Sequence, residues 1–321
     1  MARLIFVPQL PVRMRYPEWW IKQFPNNLID YFDQVLTLDG GVPSQMVEES
    51  IFADPKSAIK FELRQIDQYM RTHIQPNDVL LLADISFPGL FANALFHKPA
   101  PKMYVMCHAT ALNKHDYYWG FDYDYYSKFL VELGQMELFN TVFVATNYHR
   151  RKIRDEASEY QGPLHMETIA LPPPPFKPRP GKRIYDVVSV ARPTKQKVTK
   201  SLEDIVESKY PITRRRSKSW ENYYKFLGQS KILLITAKEE TFGYQVLDAV
   251  LNGCIPVAPN RLSYPELLPP EYLYNFPTVY KEGDDILEVV ERAFDLPVPK
   301  LLNQDKIYNF YSNIAKEMLD G

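Results

Sequence analysis

Two carboxylates eight residues apart carry the strongest chemical signal in this chain. Lys238-Glu239-Glu240-Thr241-Phe242-Gly243-Tyr244-Gln245-Val246-Leu247-Asp248 follows an apolar run at 232–235. Asn252-Gly253 and a second apolar run containing Pro256-Val257-Ala258 come after it. The pattern reads as strand, acidic turn, helix, glycine stop and strand, with charged groups at the carboxyl end of the first strand. Ligands bind at such ends in open α/β sheets. Glu240 and Asp248 lie a little over two helical turns apart, so both can face one crevice if the helix begins near Phe242. Carboxylates so placed accept hydrogen bonds from the hydroxyls of a sugar and of a ribose. The bare acid spacing also fits an ordinary βαβ unit with charged helix ends; the Phe-Gly turn and the downstream strand set this one apart.

The elements that must hold these groups follow from apolar patterning. Short apolar runs at 4–7, 35–38, 79–83, 103–107 and 142–145 are separated by amphipathic stretches at 19–32, 58–71, 124–133 and 150–157. Such alternation predicts a parallel sheet covered by helices. The proline-rich run 171–180 cannot pair inside a sheet and favours a stiff, extended form, which reads as an interdomain connection. A second α/β domain opens at 186–191. From there to 232 the chain reads as helical and charged, so either this domain is trimmed by one or two strands or a strand is hidden in the charged stretch. Residues 285–294 and 301–319 read as closing helices.

A length of 321 residues suits two domains, and 45% hydrophobic residues exclude general disorder. A net charge of −1 excludes a global field for nucleic acid, although Arg214-Arg215-Arg216-Ser217-Lys218 is a local basic run. No GxGxxG or Walker A loop occurs, which argues against dehydrogenases and P-loop enzymes. Cys107 and Cys254 stand in apolar contexts and read as buried thiols in a reducing compartment. The chain opens on a strand, carries no leader pattern and has no apolar run near the ~18 residues of a membrane span. The expectation is a soluble cytoplasmic protein. Scattered histidines and two distant cysteines imply no zinc site. Asp122-Tyr123-Asp124 fits a DxD metal motif but precedes a helix, where acids serve its N-terminus.

The segment from Glu240 to Ala258 resembles the donor-site signature of the retaining GT-B glycosyltransferases of family 4. Glu240 matches the first acid, Asp248 stands where the family usually has Glu, and Pro256-Val257-Ala258 matches the following strand. The resemblance implies an α/β protein of GT-B type: two Rossmann-like parallel-sheet domains facing a cleft, here with the C-terminal domain trimmed. It divides the chain into an acceptor-side domain (1–175), a proline-rich linker (176–183), a nucleotide-sugar donor domain (184–300) and a C-terminal helix crossing back (301–321). It implies a UDP- or GDP-linked sugar donor, retention and no metal. A departing diphosphate needs cations or a helix N-terminus, and the resemblance gives that task to Arg192 with Lys197 or Lys195, in a turn that also reads as a solvated basic loop. Glu240 would bind the transferred sugar, Asp248 the ribose, and the Thr241, Phe242 and Gly243 turn would aim amides at phosphate. Residue His108, at a strand end, would line the cleft beside the sugar.

For the acceptor, Asn260-Arg261-Leu262-Ser263-Tyr264-Pro265-Glu266 resembles the branch containing tRNA-queuosine mannosyltransferases. The loop Pro8 to Trp20 differs from that branch in carrying Arg13, Arg15, Tyr16 and Trp19, and there it resembles phage transferases acting on hydroxymethylated pyrimidines in DNA. Arginines hold phosphates and aromatic faces stack on extruded bases; the same aromatics also read as a buried cluster closing the sheet edge. Asn147, at another strand end, joins the candidate acceptor residues. The expected acceptor is therefore a hydroxyl on a modified nucleic-acid base, first hydroxymethylpyrimidine in DNA (in a host cytoplasm if phage-encoded) and next queuosine in tRNA, with a small molecule or glycan open. A protein that binds nucleic acid or a sugar nucleotide without catalysis is the reading of another class.

Overall fold

The computed structural model describes residues 2–41, 55–85, 102–108, 110, 125–158, 162, 164–192, 194, 197–276 and 285–321. They form two compact units. One holds Met1–Ala145, Arg150–Pro175 and Tyr308–Gly321; the other holds Thr146–His149 and Phe176–Ile307.

The first unit contains β1 (Arg3–Val7), α1 (Pro17–Leu28), β2 (Gln34–Thr37), α2 (Pro55–Arg71), β3 (Val79–Leu82), β4 (Lys102–Cys107), α3 (Tyr125–Glu137), β5 (Thr141–Val144), most of α4 (Asn147–Glu156) and β6 (Met166–Thr168). Its strands run in the order β2-β1-β3-β4-β5-β6, and every pairing is parallel. Parallel strands are covered on both faces, so they read as unbroken apolar runs instead of alternating ones. Strand β3 (Val-Leu-Leu-Leu) is buried at every position, and Ile5, Leu80, Val105 and Val142 meet in the core at 0% exposure.

Helix α1 starts with Pro17 in its first turn, where a missing N–H does no harm. Trp20, Phe24 and Leu28 recur every four residues and bury one face. That face meets a helix from the far end of the chain: Phe24 lies 5.6 Å from Phe310 and 5.5 Å from Tyr311, ring to ring. Burying each such phenyl ring stabilises by roughly 1.5–3 kcal/mol. The closing stretch at 301–319 is two helices, α9 (Gln304–Tyr308) and α10 (Phe310–Asp320), broken at Asn309.

The second unit contains β7 (Tyr185–Ser189), α5 (Lys200–Glu207), β8 (Ile212–Arg214), α6 (Trp220–Gly228), β9 (Ser230–Leu234), α7 (Tyr244–Leu251), β10 (Ile255–Pro259), β11 (Leu273–Tyr274) and α8 (Asp285–Ala293). The strand order is β11-β10-β9-β7-β8, again all parallel. Of the two alternatives left open for 186–232, a missing strand or one hidden in the charged stretch, strand β8 is the hidden one. It is a three-residue edge strand in which only Ile212 is buried, too short to show a period. Its last residue, Arg214, is the first of the basic run. The guanidinium is held between Glu203 (2.9 Å) and Glu207 (2.7 Å), so it braces α5.

The proline-rich connection docks on the end of α6. Gly181 N–H donates to Gly228 O at 3.0 Å. A Cβ built on Gly228 would stand 1.8 Å from the Arg179 carbonyl oxygen, so only glycine fits there. Arg183 then donates to the carbonyls of Leu227, Gly228, Asn252 and Gly253, closing the exposed C-terminal carbonyls of both α6 and α7. No helix among the described residues is long and apolar enough to cross a membrane.

Candidate functional site

In the second sheet the connection order reverses between β7 and β9, since β8 lies to one side and β10 and β11 to the other. Crevices at such switch points, outside the carboxyl ends of the strands, are the usual ligand sites of open α/β sheets. The turn holding Arg192 and Lys197 leaves β7, and the acidic turn 239–243 leaves β9. Topology alone therefore sets the two charged turns side by side.

Side chains complete the arrangement. The Lys197 ammonium donates to Glu240 Oε2 at 3.0 Å and to the Glu239 carbonyl at 2.9 Å. The two side chains are 22% and 19% exposed, so the pair is largely shielded from water. Lys197 is fixed from behind: Thr199 N–H donates to Thr236 Oγ1 (3.1 Å), and Thr199 Oγ1 donates to the Thr236 carbonyl (2.7 Å). Burial alone would raise the Glu240 pKa, but the Lys197 charge and hydrogen bond and two backbone amides outweigh it and hold the carboxyl below its ordinary value. Those amides belong to Thr241 (3.1 Å) and Phe242 (3.4 Å), both donating to Glu240 Oε1. The turn expected to aim its amides at phosphate directs two of them at its own carboxylate. Gly243 makes the turn possible, with φ of +101° and Tyr264 and Leu267 packed where a Cβ would go.

Asp248 behaves differently. It is 5% exposed on the inner face of α7. Its oxygens accept from the Tyr224 phenol at 2.8 Å and the Tyr223 phenol at 3.1 Å. Glu240 and Asp248 thus take partners from different elements instead of presenting a shared pair. Burial pushes the Asp248 pKa up to about 7, and the two phenols only partly oppose it. The folded state therefore keeps a proton there that an unfolded aspartate releases near 3.8. The resulting stability is complete below pH 3.8 and is lost as pH rises through about 7. The thermal midpoint of the native protein, measured relative to Asp248→Asn, is expected to decline across that window; a flat difference would refute a buried, protonated carboxyl.

Contacts among distant residues add members that sequence spacing did not reveal. Tyr264 is 1% exposed, and burial together with the nearby Glu240 and Glu239 charges keeps its phenol un-ionised. Arg261 donates to the Lys238 carbonyl at 2.6 Å and covers the Phe276 ring at 4.3 Å. Within the second unit, Glu266 accepts from the amides of Asn147 (2.8 Å) and Tyr148 (2.6 Å), while Thr146 Oγ1 donates to the Thr241 carbonyl at 2.7 Å. The Asn-Arg-Leu-x-Tyr-Pro-Glu run is thus the support of the acidic turn. Its one sequence signal was the family resemblance.

In the first unit, His108 is 7% exposed, with Nε2 3.2 Å from the Ala83 carbonyl and its ring packed on Tyr16 (5.1 Å) and Trp20 (4.7 Å). Trp19 is buried at 6% exposure. Of the aromatic loop, the tryptophans build the core cluster. Arg13 is exposed, and Arg15 and Tyr16 are half-buried. Arg192 is exposed just past β7. Lys195 and the Asp122–Asp124 motif lie outside the described residues. Cys107 and Cys254 are both buried. Among the described residues no group of three His, Cys, Asp or Glu side chains could hold a metal ion.

No protein-family model matches the chain. The tRNA-queuosine alpha-mannosyltransferase of Drosophila melanogaster is 49% identical over 55 residues, a stretch that makes up 17% of this chain and 15% of that protein. Among solved structures, a sucrose-phosphate synthase from Thermosynechococcus elongatus superposes with a TM-score of 0.65 at 10% identity, covering 100% of this chain and 98% of that one. Trehalose-6-phosphate synthase gives 0.61 at 10% identity, with 100% and 99% covered. The lipopolysaccharide outer core galactosyltransferase WaaB gives 0.60 at 11% identity, with 99% of each covered. At such identities the likeness speaks for the fold, two parallel-sheet α/β domains of GT-B type.

Proposed function

We propose that this chain, whose fold is that of the GT-B glycosyltransferases, moves a sugar from a nucleotide sugar to a hydroxyl on a modified base in a nucleic acid. The observation that carries the reading is the Lys197–Glu240 pair at the switch point of the second sheet. The diphosphate of a donor competes with Glu240 for Lys197, assisted by Arg192, and so frees the carboxylate to accept from sugar hydroxyls. Cations then face the charge that grows on the leaving diphosphate, where they lower the barrier. Retention and the absence of a metal belong to the same reading, as does a reducing, cytoplasmic setting for the two buried thiols.

The stretch 49% identical to the fly enzyme supports queuosine in tRNA as the acceptor. Hydroxymethylpyrimidine in DNA is the second reading, favoured by the exposed Arg13 and the half-buried Arg15 and Tyr16 beyond β1. Thermal unfolding with UDP- and GDP-sugars, with and without EDTA, tests the donor half, since a ligand of the folded state raises the midpoint. Labelled-sugar transfer to queuosine-containing tRNA and to hydroxymethylated DNA tests the acceptor half. A donor that binds but reaches neither acceptor and is not hydrolysed would point to the binding-only class. Replacing Arg13 and Arg15 together with alanine is expected to raise the acceptor KM about tenfold, the scale of two lost phosphate contacts, and to spare donor hydrolysis. Unchanged acceptor kinetics would remove that loop from the site.

A further inference from the structure

We infer that Arg261 is a positioning residue that holds the acidic turn 239–243 in place whether or not Lys197 is engaged with it. This rests on the donor half of the reading above, in which a diphosphate draws Lys197 away. The second sheet sets the turn leaving β9 between the turns leaving β7 and β10, so two spacings of about 4.8 Å separate the flanking turns. Each flank supplies one cation to the middle. From the β7 side Lys197 donates to the Glu239 carbonyl at 2.9 Å, and from the β10 side Arg261 donates to the Lys238 carbonyl at 2.6 Å. Two consecutive carbonyls of the segment that carries Glu240 are thus held from opposite directions.

The two cations differ in how firmly they are committed. Lys197 also holds Glu240 Oε2 at 3.0 Å, a contact that phosphate oxygens contest. Arg261 is half-buried and puts its charge on a carbonyl and on the Phe276 ring, 4.3 Å away. A planar guanidinium stacked on a ring and bonded along one edge is fixed in direction, whereas an ammonium on a flexible stem changes partner readily. The backbone beneath Arg261 is fixed too. Asn260 N–H donates to the Tyr274 carbonyl at 2.6 Å, and Arg261 N–H to the Pro259 carbonyl at 2.7 Å. Leu262 is not glycine yet holds φ of +61°, a conformation that persists only where its surroundings over-determine it. The same β10 turn supports the other end of the acidic segment, because Tyr264 and Leu267 pack where a Cβ on Gly243 would go. A glycine at φ of +101° is conformationally permissive and takes its order from such neighbours. The acidic turn is therefore fixed from β10 at both ends and exchanges partners only at Lys197.

The test is amide hydrogen exchange of the 238–243 segment without ligand, with Lys197→Met imitating a lysine drawn away. Arg261→Ala is expected to speed exchange there about tenfold, Arg261→Lys about threefold and Lys197→Met less than about twofold. Melting midpoints within about 2 °C of the parent show the variants folded. Exchange that stays slow in Arg261→Ala, or rises as much in Lys197→Met, overturns the inference. Should Arg261→Ala not fold, Phe276→Leu takes away the ring under the guanidinium and carries the same expectation and the same refutation. In sugar transfer, Arg261→Ala should lower kcat about tenfold with donor KM nearly kept, but only about twofold in a Glu240→Gln background, because both changes act through one carboxylate. Losses that simply multiply would mean that Arg261 does not act through Glu240, and would overturn its positioning role. If the unsubstituted protein turns over no sugar nucleotide, the donor reading falls and the exchange arm alone decides Arg261.

Discussion

Alanine at Glu240 is expected to lower sugar transfer at least about tenfold, roughly 1.4 kcal/mol in barrier, while the donor still stabilises the fold. The carboxylate is held ionised by Lys197 and by two amides of its own turn, and in the proposed reading it becomes a hydrogen-bond acceptor for the sugar once a diphosphate draws Lys197 away. Lys197 keeps the Glu239 carbonyl at 2.9 Å when Glu240 is gone and remains available to phosphate. The loss should therefore appear mainly in kcat, with a small change in donor KM. Glu240→Gln, which retains the shape without the charge, should fall between the two. Near-normal turnover in either variant would remove Glu240 from the site.

Gly228→Ala is expected to be the most damaging single methyl group in the second unit. The added carbon would stand 1.8 Å from the Arg179 carbonyl oxygen and 2.7 Å from its carbon. Both are backbone atoms, so no side-chain rotation relieves the clash. Either α6 shifts or the 179–181 segment lifts off, taking the Gly181 hydrogen bond with it. Overpacking of this kind costs about 3 kcal/mol, which lowers the melting midpoint of a unit this size by roughly 6–12 °C. Calorimetry reads it directly, and a midpoint within about 2 °C of the parent would show that the segment docks more loosely than described.

The central strands were legible because burial on both faces writes itself as an apolar run, and 4–7, 79–83, 103–107 and 142–145 match β1, β3, β4 and β5 to within a residue or so. The strands that escaped, β6, β8 and β11, are two or three residues long and lie at sheet edges. An edge pairs on one side only and tolerates residues such as Glu167 and Arg214, so neither run length nor period marks it. The candidate site divides the same way. Glu240 and Lys197 could be named because their turns follow long apolar strands. Spacing could not tell that Asp248 would point at Tyr223 and Tyr224 on α6, since that depends on helix packing between positions about 24 residues apart. The aromatic loop was legible as to residue type and ambiguous as to environment, and burial of Trp19 and Trp20 resolves it toward the core.

The meeting of Phe24 with Phe310 and Tyr311, and of the Tyr104 phenol with the Met318 carbonyl at 3.4 Å, sets an order on the birth of the protein. A ribosome delivers α1 nearly three hundred residues before its partner helix. Until then the apolar face of α1 needs a temporary cover, and the first unit waits on the completion of the second. Chains of this size commonly assemble domain by domain as they emerge; here the last piece of the first unit follows the whole of the second. Chaperone dependence during synthesis, and refolding in vitro governed by the encounter of α1 with α10, are the signatures to look for.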